Sequence, residues 1–168
     1  MAKSRKKVIV RTLDHKLHAG YLPSNGLLDE SASIDLLDLE ARHSPIPLRN
    51  VRWVAYVRDF NLQDLVDPER LSRKTFLARP RTEGLWVRLT LLRGDTLEGL
   101  APLDLSFADG FLEDSGIFLN PPDIRSNTQR LFIPRMAITA MQILAVVTNP
   151  SKPKPSKAPD TPQPLLFT

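Results

Sequence analysis

The chain has three histidines and no cysteine, so any metal or nucleophile chemistry would rest on His15, His18, His43 and the carboxylates. In an extended strand, a spacing of three puts His15 and His18 on opposite faces, which disfavours shared ligation of one ion. No G-x-S-x-G elbow, P-loop or dinucleotide-type glycine run is present. Asp104, Asp109, Glu113 and Asp114 cluster, but without the alternating ligands and sixth-position glycine of a calcium loop. They read as a solvated acidic loop. The expectation is a protein that is not an enzyme, with no metal and no cofactor.

Two other segments could carry recognition. Asn120 to Arg130 is the most polar, proline-marked stretch of the body. Proline with Asn and Ser side chains builds turns, yet loops on rigid scaffolds also carry binding residues. Asp123, Arg125, Asn127 and Arg130, with Arg135 just beyond, are therefore the candidate recognition residues. Near the end stands Gln163-Pro164-Leu165-Leu166-Phe167. Leucine and phenylalanine in a proline- and lysine-rich tail have no core to enter, which asks for a partner. The pentapeptide resembles the Q-x-x-L-F motif by which bacterial replication and repair proteins dock on the β sliding clamp. Its proline at the second position departs from the commonest form. The resemblance implies a hydrogen-bonding Gln163 and an apolar anchor of Leu165, Leu166 and Phe167.

The elements that must position these residues come from an internal repeat. Val8 to Pro23 aligns without gaps onto Val87 to Pro102, pairing Gly20 with Gly99 and the turn Asp14-His15 with Arg93-Gly94. Further on, Ile46-Pro47, Val51, Val54 and Tyr56 align with Ile133-Pro134, Ile138, Met141 and Ile143. The change of offset places an insertion in the second copy. Each copy alternates with period two, as strands do. A turn, a second strand bent at glycine, a middle strand and closing strands (51–58 and 137–147) complete each unit. Asp67-Pro68-Glu69 has the pattern of a helix start, so a short connecting helix is expected over 67–76. From 149 on, proline and lysine dominate and an extended, disordered tail is expected.

A unit of this kind, carried by 87–99 and 131–138, resembles an Sm-like or SH3-like small β-barrel, and also bacterial domains that occur beside regulatory modules. The resemblance covers 7–58 and 86–145. It implies two tandem barrels packed together, since units so small bury little surface alone. Sm proteins hold RNA bases with an arginine-glycine pair, where this chain has Pro134-Arg135 instead. Asp104-Leu-Ser106-Phe-Ala-Asp109-Gly110 comes near half of the cyclic-dinucleotide signature of PilZ modules. The paired arginines that signature needs for phosphate and guanine are absent.

Charge narrows the partners. The net charge is +4, but four cations precede the first strand and the tail nets +2, so residues 8–145 carry −2. A nucleic-acid-binding body should show a basic stripe, and none is visible in the linear sequence. No apolar run is long enough to span a membrane, and a cytoplasmic protein is expected. The full expectation is all-β: barrels at 7–58 and 86–147, a linker with a short helix at 59–85, and a disordered tail at 148–168. Such a chain would serve as an adaptor whose barrels bind a protein and whose tail docks a partner, the sliding clamp being first candidate. The alternatives are a nucleic-acid-binding module using the basic termini and a cyclic-dinucleotide-responsive regulator.

Overall fold

A computed structural model describes residues 5–148 apart from 25, 28–31, 72, 107 and 110–114. The tail, with Gln163, Leu165, Leu166 and Phe167, lies outside the described residues. The described chain is all-β. The first half holds β1 (Lys7–Thr12), β2 (Leu17–Tyr21), β3 (Ser33–Asp38), β4 (His43–Pro47) and β5 (Val51–Val57). The second holds β6 (Gly84–Leu91), β7 (Thr96–Ala101), β8 (Gly116–Leu119), β9 (Thr128–Pro134) and β10 (Ile138–Val147). Single 3-10 turns, Leu48–Asn50 and Arg135–Ala137, lead into β5 and β10. Among the described residues no helix is long and apolar enough to cross a membrane.

Seven strands form one antiparallel sheet, β4-β3-β2-β1-β5-β9-β8, and three form a second, β10-β6-β7. A bridge between Leu100 and Asn120 ties β7 to β8. The halves therefore share one order, β5-β1-β2-β3-β4 and β10-β6-β7-β8-β9. Their registers agree pair for pair. Val8 faces Gly20 and Tyr56, as Val87 faces Gly99 and Ile143. Val10 faces Val54 as Leu89 faces Met141. The bulge that skips Arg52 in β5 recurs at Thr139 in β10. Ile34 faces Ile46 as Ile117 faces Ile133.

Two expectations need correction. The sheets are not closed into barrels. β4 does not return to β5; the outer edge of β5 is occupied by β9 of the other half, with Val54 opposite Phe132 and Ala55 opposite Leu131. Pairing across the halves satisfies that edge's backbone groups, so the strands run on into one sheet. Among the described residues of 67–76, no connecting helix is present either. Asp67 does cap one turn, its Oδ1 accepting from Leu71 N–H at 3.0 Å. Arg70, at a φ of 44°, then leaves the helical region.

The linker is instead held by its polar groups. Glu69, 2% exposed, makes a bidentate pair with Arg11, with Oε1 at 2.5 Å from Nε and Oε2 at 2.9 Å from Nη2. Thr128 Oγ1 donates to the Glu69 carbonyl at 2.9 Å. Farther along, Glu98 accepts from Phe76 N–H at 3.0 Å, Trp86 Nε1 at 3.1 Å and Arg88 Nη2 at 2.8 Å.

Two cores result. Ile34, Leu36, Ile46, Val51 and Val54 pack with Val8 and Val10 in one, which Phe132 of β9 also joins. The other lies between the sheets and draws on both halves: Ile9, Trp53, Ala55 and Val57 meet Leu85, Val87, Leu89, Leu131 and Ile133. β1 and β5 thus have one face in each core.

Glu98 gives this fold a pH dependence. Burial raises its carboxyl pKa, but hydrogen bonds from Arg88, Phe76 N–H and Trp86 outweigh that and hold it below the usual glutamate range. A carboxyl depressed in the folded state stabilises the fold above its unfolded pKa. That contribution is lost as pH falls through the folded value. Urea unfolding between pH 7 and pH 3 should therefore show an acid decline that Glu98→Gln flattens. The same variant should lose about 1.5–3 kcal/mol at pH 7, the worth of a hydrogen bond to a charged group. An unchanged decline would assign the acid sensitivity to other carboxylates.

Candidate binding site

Residues distant in sequence meet where the halves join. Directly opposed residues on antiparallel strands share a face. Tyr56 on β5 stands opposite Val8 on one side and Arg130 of β9 on the other. Phe132 of β9 stands opposite both Val54 and Phe118 of β8. Lys6, two residues before Val8, falls on the same face. A ladder of cations and rings therefore crosses the joint. The Arg130 guanidinium lies 3.7 Å from the Phe118 ring centroid, and Lys6 Nζ lies 5.8 Å from that of Tyr56. Phe118 sits 4.9 Å from Phe132 and 6.2 Å from Tyr56, all in tilted pairs. Desolvation pushes the Tyr56 hydroxyl pKa up, and the charge of Arg130 acts against that rise.

A cavity flanks the ladder on each side. One, of about 350 Å³, is lined by Arg5, Lys6, Leu22, Pro23, Leu27 and Tyr56. The other, of about 180 Å³, is lined by Pro102, Ile117, Phe118, Arg130 and Phe132. Each combines an apolar lining with an exposed cation, a composition suited to an apolar group next to a negative charge.

Of the loop residues expected to recognise a ligand, Arg130 alone reaches this face. Asn127 is a structural lock: its amide donates to the Asp59 carbonyl at 2.7 Å and the Pro68 carbonyl at 3.1 Å, while its Oδ1 accepts from Asp59 N–H. Asp123 closes a turn by accepting from Arg125 N–H at 2.9 Å. Arg125 is exposed in that turn, and Arg135 is exposed in the 3-10 turn after β9. Lys6, Tyr56 and Phe118 were not singled out as site residues by sequence reasoning. Their signal is an aromatic or cation in an otherwise apolar period-two pattern, which becomes a site only once the β5·β9 register is known.

The histidines are dispersed. His15 occupies the first turn with Nδ1 at 3.1 Å from Arg52 Nη1, and His43 contacts Asp35 at 3.0 Å. His18 lines a separate polar cavity between the first turn and β4. Among the described residues, no three His, Cys, Asp or Glu gather as metal ligands. Asp104 closes its own turn through Ser106 N–H.

An all-β chain of two register-matched halves, with a cationic aromatic face across their joint, is the class that fold and site define. Residues 4–145 match DUF6982, a family of unknown function, and the chain belongs to that family. No curated protein matches the chain, and no solved structure does.

Proposed function

We propose that this chain is a non-catalytic adaptor that grips an extended, acidic protein segment across the joint between its halves. The observation that carries this reading is the ladder Lys6–Tyr56–Phe118–Arg130 set between two apolar cavities, each with a cation. Tyrosine, phenylalanine and arginine are the residues that protein interfaces enrich. The cavities suit aliphatic or aromatic side chains, and the cations suit a carboxylate between them. In this reading the tail peptide with Gln163, Leu166 and Phe167 is a second docking element, the sliding clamp being its first candidate partner.

A random-peptide display selection against the full chain, run beside a Lys6→Glu/Arg130→Glu variant, tests the reading. Expected winners carry Asp or Glu flanked by Leu, Ile or Phe, bind near micromolar, about −8 kcal/mol, and lose at least tenfold on the double variant. Winners that bind both proteins equally would remove this face from the account. The same ladder also favours a second reading, a platform for single-stranded nucleic acid, in which bases stack on rings and cations meet phosphates. A mixed-sequence oligonucleotide titrated at several salt concentrations decides it, since phosphate contacts give a steep salt slope.

A further inference from the structure

The free edge of β10 is the feature of this fold with no stated use. β10 is the counterpart of β5, as the matched bulges at Arg52 and Thr139 and the matched pairs Val8–Tyr56 and Val87–Ile143 establish. In the first half, the outer edge of β5 is taken by β9 along Val54–Val57. Among the described residues, the equivalent stretch of β10, 141–144, has β6 on one side and no strand on the other. β10 is ten residues long and contains neither charge nor proline, two of the devices by which proteins blunt open edges, and its bulges at Thr139 and Leu144 leave Met141 to Ile143 in regular register. Its side chains carry the same message. Met141, Ile143 and Val146 face as their partners Leu89, Val87 and Leu85 do, into the intersheet core. Yet Ile143 and Val146 are 54% and 53% exposed, and neither is part of the buried cluster.

We propose that β10 pairs with β10 of a second copy, antiparallel about a two-fold axis, joining two three-stranded sheets into one of six. The edge at β4 does not fit as the occupant. β4 is the counterpart of β9, but Pro45 stands where Phe132 pairs with Val54. Proline has no N–H to donate to a neighbouring strand. A head-to-tail copy therefore cannot reuse the β5·β9 pairing, and the self-complementary solution is isologous. A two-fold axis normal to a sheet keeps each side chain on its own face, so the register must centre on a residue. Centring on Gln142 sets the two Gln142 side chains opposite each other on the outer face. Ile143 then meets the partner's Met141 over the exposed flank of the core.

The absence of cysteine makes the test specific. Sedimentation of the full chain across a concentration series should give twice the monomer mass. Ile143→Lys/Val146→Lys should weaken association at least tenfold while leaving thermal unfolding of the monomer cooperative. Separately, Gln142→Cys should form a covalent dimer on mild oxidation, because facing residues lie within disulfide reach, whereas His43→Cys on β4 should not. A wild-type chain that stays monomeric at about 100 µM, or a dimer whose strength the lysine pair does not change, would overturn the proposal. So would a Gln142→Cys protein that cross-links no better than the β4 control.

Discussion

Gly20→Val is expected to remove about 3 kcal/mol or more of stability, the largest effect of any single change considered for this chain. No positive φ calls for glycine there. What calls for it is space: a Cβ at residue 20 would press into the Leu37 carbonyl oxygen and lie 2.9 Å from Leu36 Cγ. The obstacle is backbone, so it cannot rotate away. Because β2 and β3 pair only at Gly20–Asp38 and Tyr21–Leu37, relief means opening that seam. Overpacking a core costs about 1–3 kcal/mol even where side chains can shift, and here they cannot. Gly99→Val should behave alike at the equivalent place, where a Cβ would lie 2.9 Å from both the Asn120 carbonyl oxygen and Leu119 Cβ. Chemical denaturation of both variants measures this. A loss under 1 kcal/mol in both would show that the β2–β3 and β7–β8 seams can widen freely.

Glu69→Ala should cost about 3 kcal/mol. The change strands Arg11, whose side chain is 14% exposed, opposite a missing carboxylate, and breaking a buried pair from one side costs about 3–5 kcal/mol. The residual exposure of Arg11 puts the figure at the low end. Arg11 Nη2 would keep its bond to the Val66 carbonyl at 2.7 Å, but the bidentate contact is gone. Arg11→Met/Glu69→Leu should cost less than the single alanine, since replacing both partners of a buried pair is often near neutral. A double-mutant cycle built from denaturant midpoints isolates the coupling. Single and double variants losing equal stability would mean that packing of the linker, not the ion pair, holds it.

The strand content and the correspondence of the halves were readable because both live in local pattern. Val8-Ile-Val-Arg and Val87-Arg-Leu-Thr alternate with period two, and Gly20 and Gly99 sit at one place in the alignment. The closing of barrels was not readable, because it depends on what takes the outer edge of β5. Local sequence does not say that Val54 will face Phe132 rather than a residue of β4. The helix over 67–76 failed for a similar reason. Asp67 and Pro68 do start a turn, but Glu69 is committed to Arg11, far away in sequence. The cationic aromatic face proposed for binding was the least readable, since Lys6, Tyr56, Phe118 and Arg130 come from four strands or strand flanks and share no motif.

Sharing β1 and β5 between two cores has a consequence for how the protein is made. Synthesis delivers Ile9, Trp53, Ala55 and Val57 before Leu85, Val87, Leu89, Leu131 and Ile133, the second-half side chains they meet in the shared core, have been made. The strand that seals the edge of β5 begins at Thr128, roughly seventy residues later. At ribosomal speeds of about 5–20 residues per second, that is on the order of several seconds of exposure. Until β9 arrives, the edge of β5 and the apolar face beside it stay open, the condition under which aggregation competes with folding.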